Sequence, residues 1–251
     1  MRWIIALLTL VSPAAFADEG ERRIAFAEGR YEEAASLADD IITPDTLAFA
    51  ARSLLAEAMS APDYSPPPDL ILQAEQLSRR ALTGAPNHIE ARLQLAIALS
   101  LKARPLSTRQ AMRTGYAEEA ERLAYSVLND DANNVYAHGF LAVWHLEVRR
   151  RGGVIGASMF GASVKNARHH YQAAVNASPG DAAIHWQYAR ALTALNPRKY
   201  RGEIDRALGL AQASAVETQL ERVMQDRARS LQSVIETSER GEIQRVAAEM
   251  L

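Results

Sequence analysis

Apolar residues recur at the spacing of an α-helix along nearly the whole chain. No segment alternates apolar and polar positions like a half-buried strand, and clusters of β-branched residues are absent. The pattern predicts eleven helices followed by a short tail over 241–250. The predicted helices are 19–28, 31–42, 45–60, 68–84, 87–102, 115–129, 133–149, 164–177, 181–194, 201–213 and 216–238. Proline and glycine stand in the joints, where a helix cannot continue, so the chain is predicted to be all-α.

Three stretches of the chain resemble one another. They begin at Ala74, Ala120 and Ala167, which are 46 and 47 residues apart. Each has a small or aromatic residue four positions later and a small residue or valine at the seventh, and each leads into a second apolar helix. A period of this length indicates a stacked array of helix pairs. No low-complexity linker divides the chain, so a single domain over 18–251 is predicted.

The stretches resemble the tetratricopeptide repeat (TPR), a pair of helices of about 34 residues that small side chains hold close together. The matching positions are Ala74, Ala81, Pro86 and Ala96, then Ala120, Ala124 and Ala142, and then Ala167, Tyr171, Ala174, Pro179 and Ala189. The segment from Gly29 to Ala34 also matches the family's Gly-x-Tyr-x-x-Ala turn. The resemblance implies a right-handed α-solenoid of antiparallel helix pairs, with repeats 12 to 13 residues longer than the family's. It also implies an interaction surface without catalysis.

The insertion from Gly152 to Val164, which leads into Ala167-Arg168-His169-His170-Tyr171, gives the chain a second and weaker resemblance. It is similar to the T-component proteins of TRAP transporters, which are TPR-like. That resemblance implies the handling of a small ligand or the docking of a binding protein. The lipid-anchoring cysteine typical of many such proteins is missing, since the chain has no cysteine.

The first seventeen residues have the pattern of a signal peptide. Met1-Arg2 is followed by an uncharged apolar run from Trp3 to Val11, and Ala15-Phe16-Ala17 fits a signal-peptidase site. We expect cleavage after Ala17 and a periplasmic mature chain, and the alternative is an uncleaved N-terminal anchor. The apolar run is about half as long as the roughly 20 residues of a membrane span, so no stable span is expected after cleavage.

Charge and composition exclude several classes of function. Removal of residues 1–17 takes away Arg2 and no acidic residue, which changes the net charge from −2 to −3. Nucleic-acid binders carry a basic surplus, so this near-balance argues against that class. The absence of cysteine excludes a disulfide framework and a thiol nucleophile. No motif for a serine nucleophile is present, and we predict neither an enzyme nor a cofactor.

In TPR arrays the first helix of each unit lines a concave groove, and this resemblance selects the candidate binding residues. They are Glu90, Leu93, Ile97, Tyr136, Val143, Trp186 and Arg190. Apolar walls with few polar groups are typical of a ligand or peptide groove. The alternative is that Leu93, Ile97 and Val143 are ordinary core residues. The groove interpretation predicts that Tyr136, Trp186 and Arg190 are accessible to solvent.

The insertion 152–164 is a second candidate region. It has thirteen uncharged residues with four glycines and follows Arg149-Arg150-Arg151, and it matches no phosphate-binding loop. Gly152, Gly153 and Phe160 are its candidate contact residues. The sequence leaves open a lid over the groove, a contact between subunits, a tip that touches lipid, and a buried connection.

Five of the six histidines fall between 138 and 185: His138, His145, His169, His170 and His185. A site made of histidines alone is chemically possible, but no recognised metal-binding spacing occurs. We therefore predict surface or core-edge histidines and no metal.

The favoured function is an exported scaffold that binds a peptide or protein partner in its concave groove. The alternative is a periplasmic carrier or transporter-accessory protein with a pocket for a small apolar ligand. The two differ in a structural property: a carrier needs an enclosed apolar cavity near Trp186 and Phe160, whereas a scaffold needs an open groove.

Overall fold

A computed structural model describes residues 13–37 and 42–251, with the backbone alone for 13–18. Its helices are α1 Pro13–Ala27, α2 Tyr31–Ser36, α3 Pro44–Ser60, α4 Pro68–Gly84, α5 Ile89–Ala103, α6 Thr108–Thr114, α7 Tyr116–Asp130, α8 Val135–Met159, α9 Val164–Ala177, α10 Ala182–Leu195, α11 Arg201–Ala213, α12 Gln219–Thr237 and α13 Arg240–Glu249. No strand occurs among the described residues, which confirms the all-α prediction. Most of the predicted signal peptide, 1–12, lies outside them.

Side-chain caps fix where several helices begin. The carboxylate of Asp181 accepts a hydrogen bond from the amide of Ile184 at 3.0 Å, at the predicted start of α10. The imidazole of His88 caps α5 and the side-chain amide oxygen of Asn134 caps α8 in the same way. Such caps satisfy amide groups that have no partner inside the helix.

The predicted helix pairs are confirmed. The array is built from α3 with α4, α5 with α7, α8 with α9 and α10 with α11. The alanines that carry the repeat pattern lie at the contacts between helices and are fully buried: Ala74, Ala81, Ala120, Ala124, Ala167 and Ala174. Because a methyl group occupies so little space, the helix backbones approach closely at these positions.

Replacing Ala174 with leucine is expected to lower the free energy of unfolding by about 1–3 kcal/mol, because the larger side chain overfills a packed contact. Urea denaturation would measure the change. Ala177→Leu is the control, since Ala177 is exposed at the end of the same helix. Equal stability of the two variants would contradict the assignment of Ala174 to the contact between helices.

The inner layer of the array closes on itself. The first helices of the units, α3, α5, α8, α10 and α12, contact one another in that order, and α12 also contacts α1 and α3. Arg227 of α12 donates hydrogen bonds to the carbonyl oxygens of Met59, at 2.6 Å, and Ala61, at 2.8 Å, where α3 ends. The concave surface therefore surrounds an interior that is partly open to solvent.

The segment 247–251 lies inside this ring. Arg104 donates to the carbonyl oxygens of residues 248, 249 and 250, and Arg190 donates to that of residue 247. Trp186 and Arg227 donate to the carbonyl oxygen of Leu251 at 3.0 and 2.8 Å. These bonds satisfy the carbonyl groups that the end of α13 leaves unpaired. The predicted tail is thus a helix with its end fixed in the interior.

The two longest gaps between the predicted helices, 103–114 and 150–163, contain helices. Ser107 and Gln110 form a reciprocal capping box that begins α6 within 103–114. In the second region, α8 continues to Met159 across a kink at Gly153, whose φ of 61° and ψ of −149° are adopted almost only by glycine. Periodicity alone missed both, because α6 is short and the end of α8 is rich in glycine.

Candidate functional site

A cavity of about 850 Å³ occupies the interior of the ring. Six of the seven predicted groove residues border it: Glu90, Leu93, Ile97, Tyr136, Val143 and Arg190. Two of the three candidate residues of the insertion, Gly152 and Phe160, border it as well. The first-helix assignment thus brings most of the predicted residues together around one space.

Trp186 lies elsewhere than expected. Its side chain is fully buried, does not border the cavity, and donates its indole N–H to Leu251. Of the other two residues predicted to be accessible, Tyr136 is 63% exposed, whereas Arg190 is only 2% exposed. Since the chain's own C-terminal segment covers Trp186 and Arg190, the predicted exposure is wrong for both.

The cavity walls are mainly apolar. Leu93 and Ile97 come from α5, and Val143 from α8. Phe140 and Trp144, on neighbouring turns of α8, also border the cavity and were not among the predicted residues. Trp144 packs against Phe160 edge to face, with ring centroids 6.5 Å apart, so the insertion forms part of the wall.

Four arginines and one carboxylate form a basic cluster on the cavity wall: Arg104, Arg150, Arg151 and Arg190 around Glu147. Glu147 accepts hydrogen bonds from Arg150 at 2.7 Å and Arg190 at 3.0 Å. Burial alone would raise the pKa of Glu147, but the positive charges of Arg190 and Arg150 outweigh it and lower this pKa to about 2. The carboxylate is therefore ionised, and the cluster keeps a surplus of positive charge.

The surroundings of Arg104 disfavour its charged form. Burial, together with the charge of Arg190, lowers the pKa of Arg104 to about 9, although Glu147 acts in the opposite direction. A guanidinium group in such surroundings is stabilised by a further anion. The basic cluster therefore favours a negatively charged group in this part of the cavity.

Three acidic side chains of the cavity wall lie near the beginnings of helices, unlike the arginines of the basic cluster. Glu90, Asp181 and Glu221 lie in or just before the first turns of α5, α10 and α12, whereas Arg104 ends α5 and Arg150 lies late in α8. Acidic groups near helix beginnings and basic groups near helix ends are the placement that helix dipoles favour. The cavity consequently has an acidic region and a basic region.

A buried histidine cluster lies apart from the cavity. His138 Nδ1 is 2.9 Å from His170 Nδ1, and the Tyr125 hydroxyl is 3.4 Å from both His170 Nε2 and His145 Nε2. His169 packs beside His170, whereas His185 lies apart and contacts Tyr171. Within 13–37 and 42–251, no three histidine, aspartate or glutamate side chains are placed to hold a metal ion.

One assignment of hydrogen positions gives each hydrogen bond of the histidine cluster one donor and one acceptor. His138 Nε2 faces the carbonyl oxygen of Ala132 at 3.1 Å and therefore donates, so its Nδ1 accepts from His170. His170 Nε2 then accepts from Tyr125, whose oxygen accepts from His145. All three imidazoles are neutral in this arrangement. Burial lowers the pKa of His145 to about 4, and burial with the neighbouring histidines lowers that of His170 to about 4.

The comparisons with known proteins bear on the fold. A thermophilic TPR protein of Thermus thermophilus is similar in its crystal structure, with a TM-score of 0.58 over 86% of this chain and 98% of that one. The two sequences are 17% identical. No family model and no curated protein matches the chain, and the likeness to T-component proteins gains no support. Among the described residues, no helix is long and apolar enough to cross a membrane. The chain has a TPR-like fold, an all-α solenoid built from helix pairs.

Proposed function

We propose that this chain is an exported, non-enzymatic binding protein whose cavity takes a small amphiphile with an anionic head group. The observation that carries the proposal is the closure of the inner layer, which leaves a space of about 850 Å³ inside the ring. Cavities of roughly 300–1,000 Å³ are typical of small-molecule sites. Of the two functions that the sequence suggested, the carrier is therefore favoured over the open-groove scaffold.

The chemistry of the wall supports this class of ligand. Leu93, Ile97, Phe140 and Val143 offer apolar surface to the body of an amphiphile. The surplus positive charge around Arg104 favours a carboxylate or phosphate head group at the other end of the molecule.

The test compares three ligands that share one alkyl chain, namely lauric acid, dodecanol and dodecylamine. We expect lauric acid to displace a fluorescent fatty-acid probe from the purified chain, with an affinity at least about tenfold higher than that of dodecanol. Dodecylamine should bind more weakly still, because its charge repels the arginines. The absence of binding by all three, or equal binding by all three, would overturn the proposal.

A variant that fills the cavity tests the place of binding. Val143→Trp places a large ring inside the cavity and should lower the affinity for lauric acid by at least about tenfold. Leu72→Trp is the matched control, since Leu72 is 45% exposed on α4 and does not border the cavity. Unchanged binding by Val143→Trp would place the ligand elsewhere.

A protein partner is the second candidate. The ring already holds a polypeptide segment, because the side chains of Arg104, Arg190, Arg227 and Trp186 bind the carbonyl groups of 247–251. A segment of another protein could be bound in the same manner. Crosslinking in the cell through a photoreactive residue at position 136, where Tyr136 is exposed, would capture such a partner.

Export rests on the first seventeen residues. Cleavage after Ala17 would remove the first residues of α1, which begins at Pro13. The intact mass of the protein recovered from a periplasmic fraction tests this part of the proposal.

A further inference from the structure

Two segments of the chain are basic and contain no acidic residue. The first, 104–115, has three arginines, and the second, 148–166, has three arginines and one lysine. The whole chain carries a net charge of −2, so this concentration of positive charge is local.

Hydrogen bonds hold the two segments together. Arg151 donates to the carbonyl oxygen of Ala103 at 3.0 Å and also to that of Leu106. The hydroxyl of Thr108 donates to the carbonyl oxygen of Arg151 at 3.3 Å. The two segments therefore form one surface, here called the basic tip and defined by residues 104–115 and 148–166.

Large apolar side chains of the basic tip are exposed. Val154 is 70% exposed, Ile155 81% and Met159 64%, all beyond the kink of α8, and Met112 on α6 is 46% exposed. On the other side of the same turn, Ala157 is buried against Trp144. Because the kink at Gly153 turns this end of α8, one of its faces packs on the protein and the other projects valine and isoleucine into solvent.

Four of the basic residues in the tip form no ion pair among the described residues. Arg109, Arg113 and Lys165 are exposed, and they and Arg149 form no ion pair with any acidic side chain that the structure describes. Exposed aliphatic side chains among unpaired basic residues are typical of surfaces that insert into the interface of a membrane.

We propose that the basic tip docks on the surface of an anionic phospholipid bilayer, with Val154, Ile155 and Met159 entering the headgroup region. Each basic residue close to an anionic membrane raises the partition constant by about fivefold. A second copy of the chain fits less well, because a symmetric contact would bring like charges together. A nucleic acid fits less well too, because it would not bury the exposed aliphatic side chains.

Docking would also bring the cavity close to the bilayer. Residues of both segments border the cavity, namely Ala111 and Met112 of the first and Gly156 and Phe160 of the second. The docking proposal does not depend on what the cavity binds, and the two can be tested separately.

The experiment is cosedimentation with vesicles of phosphatidylcholine, with or without a minor share of phosphatidylglycerol. It uses the protein as the expressing cell releases it in soluble form, with its N-terminus established by intact mass. We expect binding to the vesicles with phosphatidylglycerol, at least about tenfold weaker binding to phosphatidylcholine alone, and weakening by salt.

Two double variants test the two parts of the surface. Ile155→Ser with Met159→Ser removes the inserting side chains, and Arg109→Gln with Arg113→Gln removes charge. Each should weaken binding to the anionic vesicles by at least about tenfold. The control is Arg198→Gln with Arg240→Gln, which removes the same charge from two exposed sites outside the tip and should leave binding unchanged.

Three results of the cosedimentation would overturn the proposal. They are the absence of binding by the unmodified protein, equal binding to both kinds of vesicle, and tip variants that bind like the control. Sedimentation velocity of the unmodified protein tests whether the tip instead forms a contact between two copies of the chain. A dimer that Ile155→Ser with Met159→Ser dissociates would assign the tip to contact between copies and overturn membrane docking.

Discussion

Replacing Trp186 with alanine is expected to lower the free energy of unfolding by about 3–5 kcal/mol, the cost of removing a large ring from a packed core. Trp186 is fully buried among the helices α8, α10 and α12 and the C-terminal segment. The variant also removes the indole donor of the Leu251 carbonyl group, which leaves Arg227 as its remaining donor. Urea denaturation followed by circular dichroism would measure the change.

Two further variants separate the causes of this loss. Trp186→Phe keeps most of the ring but not the N–H group, so it should cost less than the alanine variant, with about 1 kcal/mol from the hydrogen bond. Tyr136→Ala removes an aromatic ring that is 63% exposed and should change stability by less than about 0.5 kcal/mol. A Trp186→Ala protein as stable as Tyr136→Ala would contradict the buried position of the tryptophan.

Trp186 was predicted to line the groove but lies in the core, and this difference shows what the sequence could predict and what it could not. The repeat of small residues identified the helix pairs because Ala120 and Ala167 are local marks of close packing. The same alignment placed Val143 and Tyr136 on the inner face, where they border the cavity. It could not show what else lies on that face, because the covering segment comes from the end of the chain.

The missed features depend on contacts between residues that are far apart in sequence. Arg227 meets the carbonyl groups of Met59 and Ala61 across 166 to 168 residues, and Arg104 meets that of Met250 across 146. No local period predicts such bonds. They close the ring, and closure turns an expected groove into a cavity.

The basic cluster was missed for a related reason. From the sequence, Arg150 was noted only as part of the arginine run before the insertion, and Glu147 was not among the candidate residues. Only the approach of α10 brings Arg190 within 3.0 Å of Glu147 and gives the cavity its anion-attracting region. The candidate site thus combines predicted apolar residues with charges that the tertiary fold collects.

Acidification from pH 7 to about pH 4 is expected to destabilise the protein through its buried histidines. The pKa of His145 and of His170 is lowered from 6.5 to about 4 in the folded chain. Between these two values the unfolded chain binds protons that the folded chain does not, so stability falls as the pH falls and levels off below about 4. A pKa lowered from 6.5 to about 4 corresponds to a loss of about 3 kcal/mol.

The geometry of the cluster explains why the folded chain resists these protons. A proton added to His170 Nε2 would face the Tyr125 hydroxyl that donates to it. His145 Nδ1 is buried with no hydrogen-bond partner in the described structure, so a proton there would also be unsatisfied.

Variants that do not titrate isolate this contribution from those of the carboxyl groups. Burial raises the pKa of Glu121 to about 7, which acts in the opposite direction because a neutral carboxyl favours the folded chain as the pH falls. Glu121 is present in the unmodified protein and in the variants alike, so its contribution cancels in their difference. In His145→Gln with His170→Gln, stability should fall by up to about 6 kcal/mol less between pH 7 and pH 4 than in the unmodified protein, about 3 kcal/mol for each histidine. His169→Gln alters an exposed ring beside the cluster and serves as the control. If the double variant lost as much stability as this control on acidification, the buried histidines would not be the groups that take up the protons, and the neutral hydrogen-bonded arrangement would be refuted.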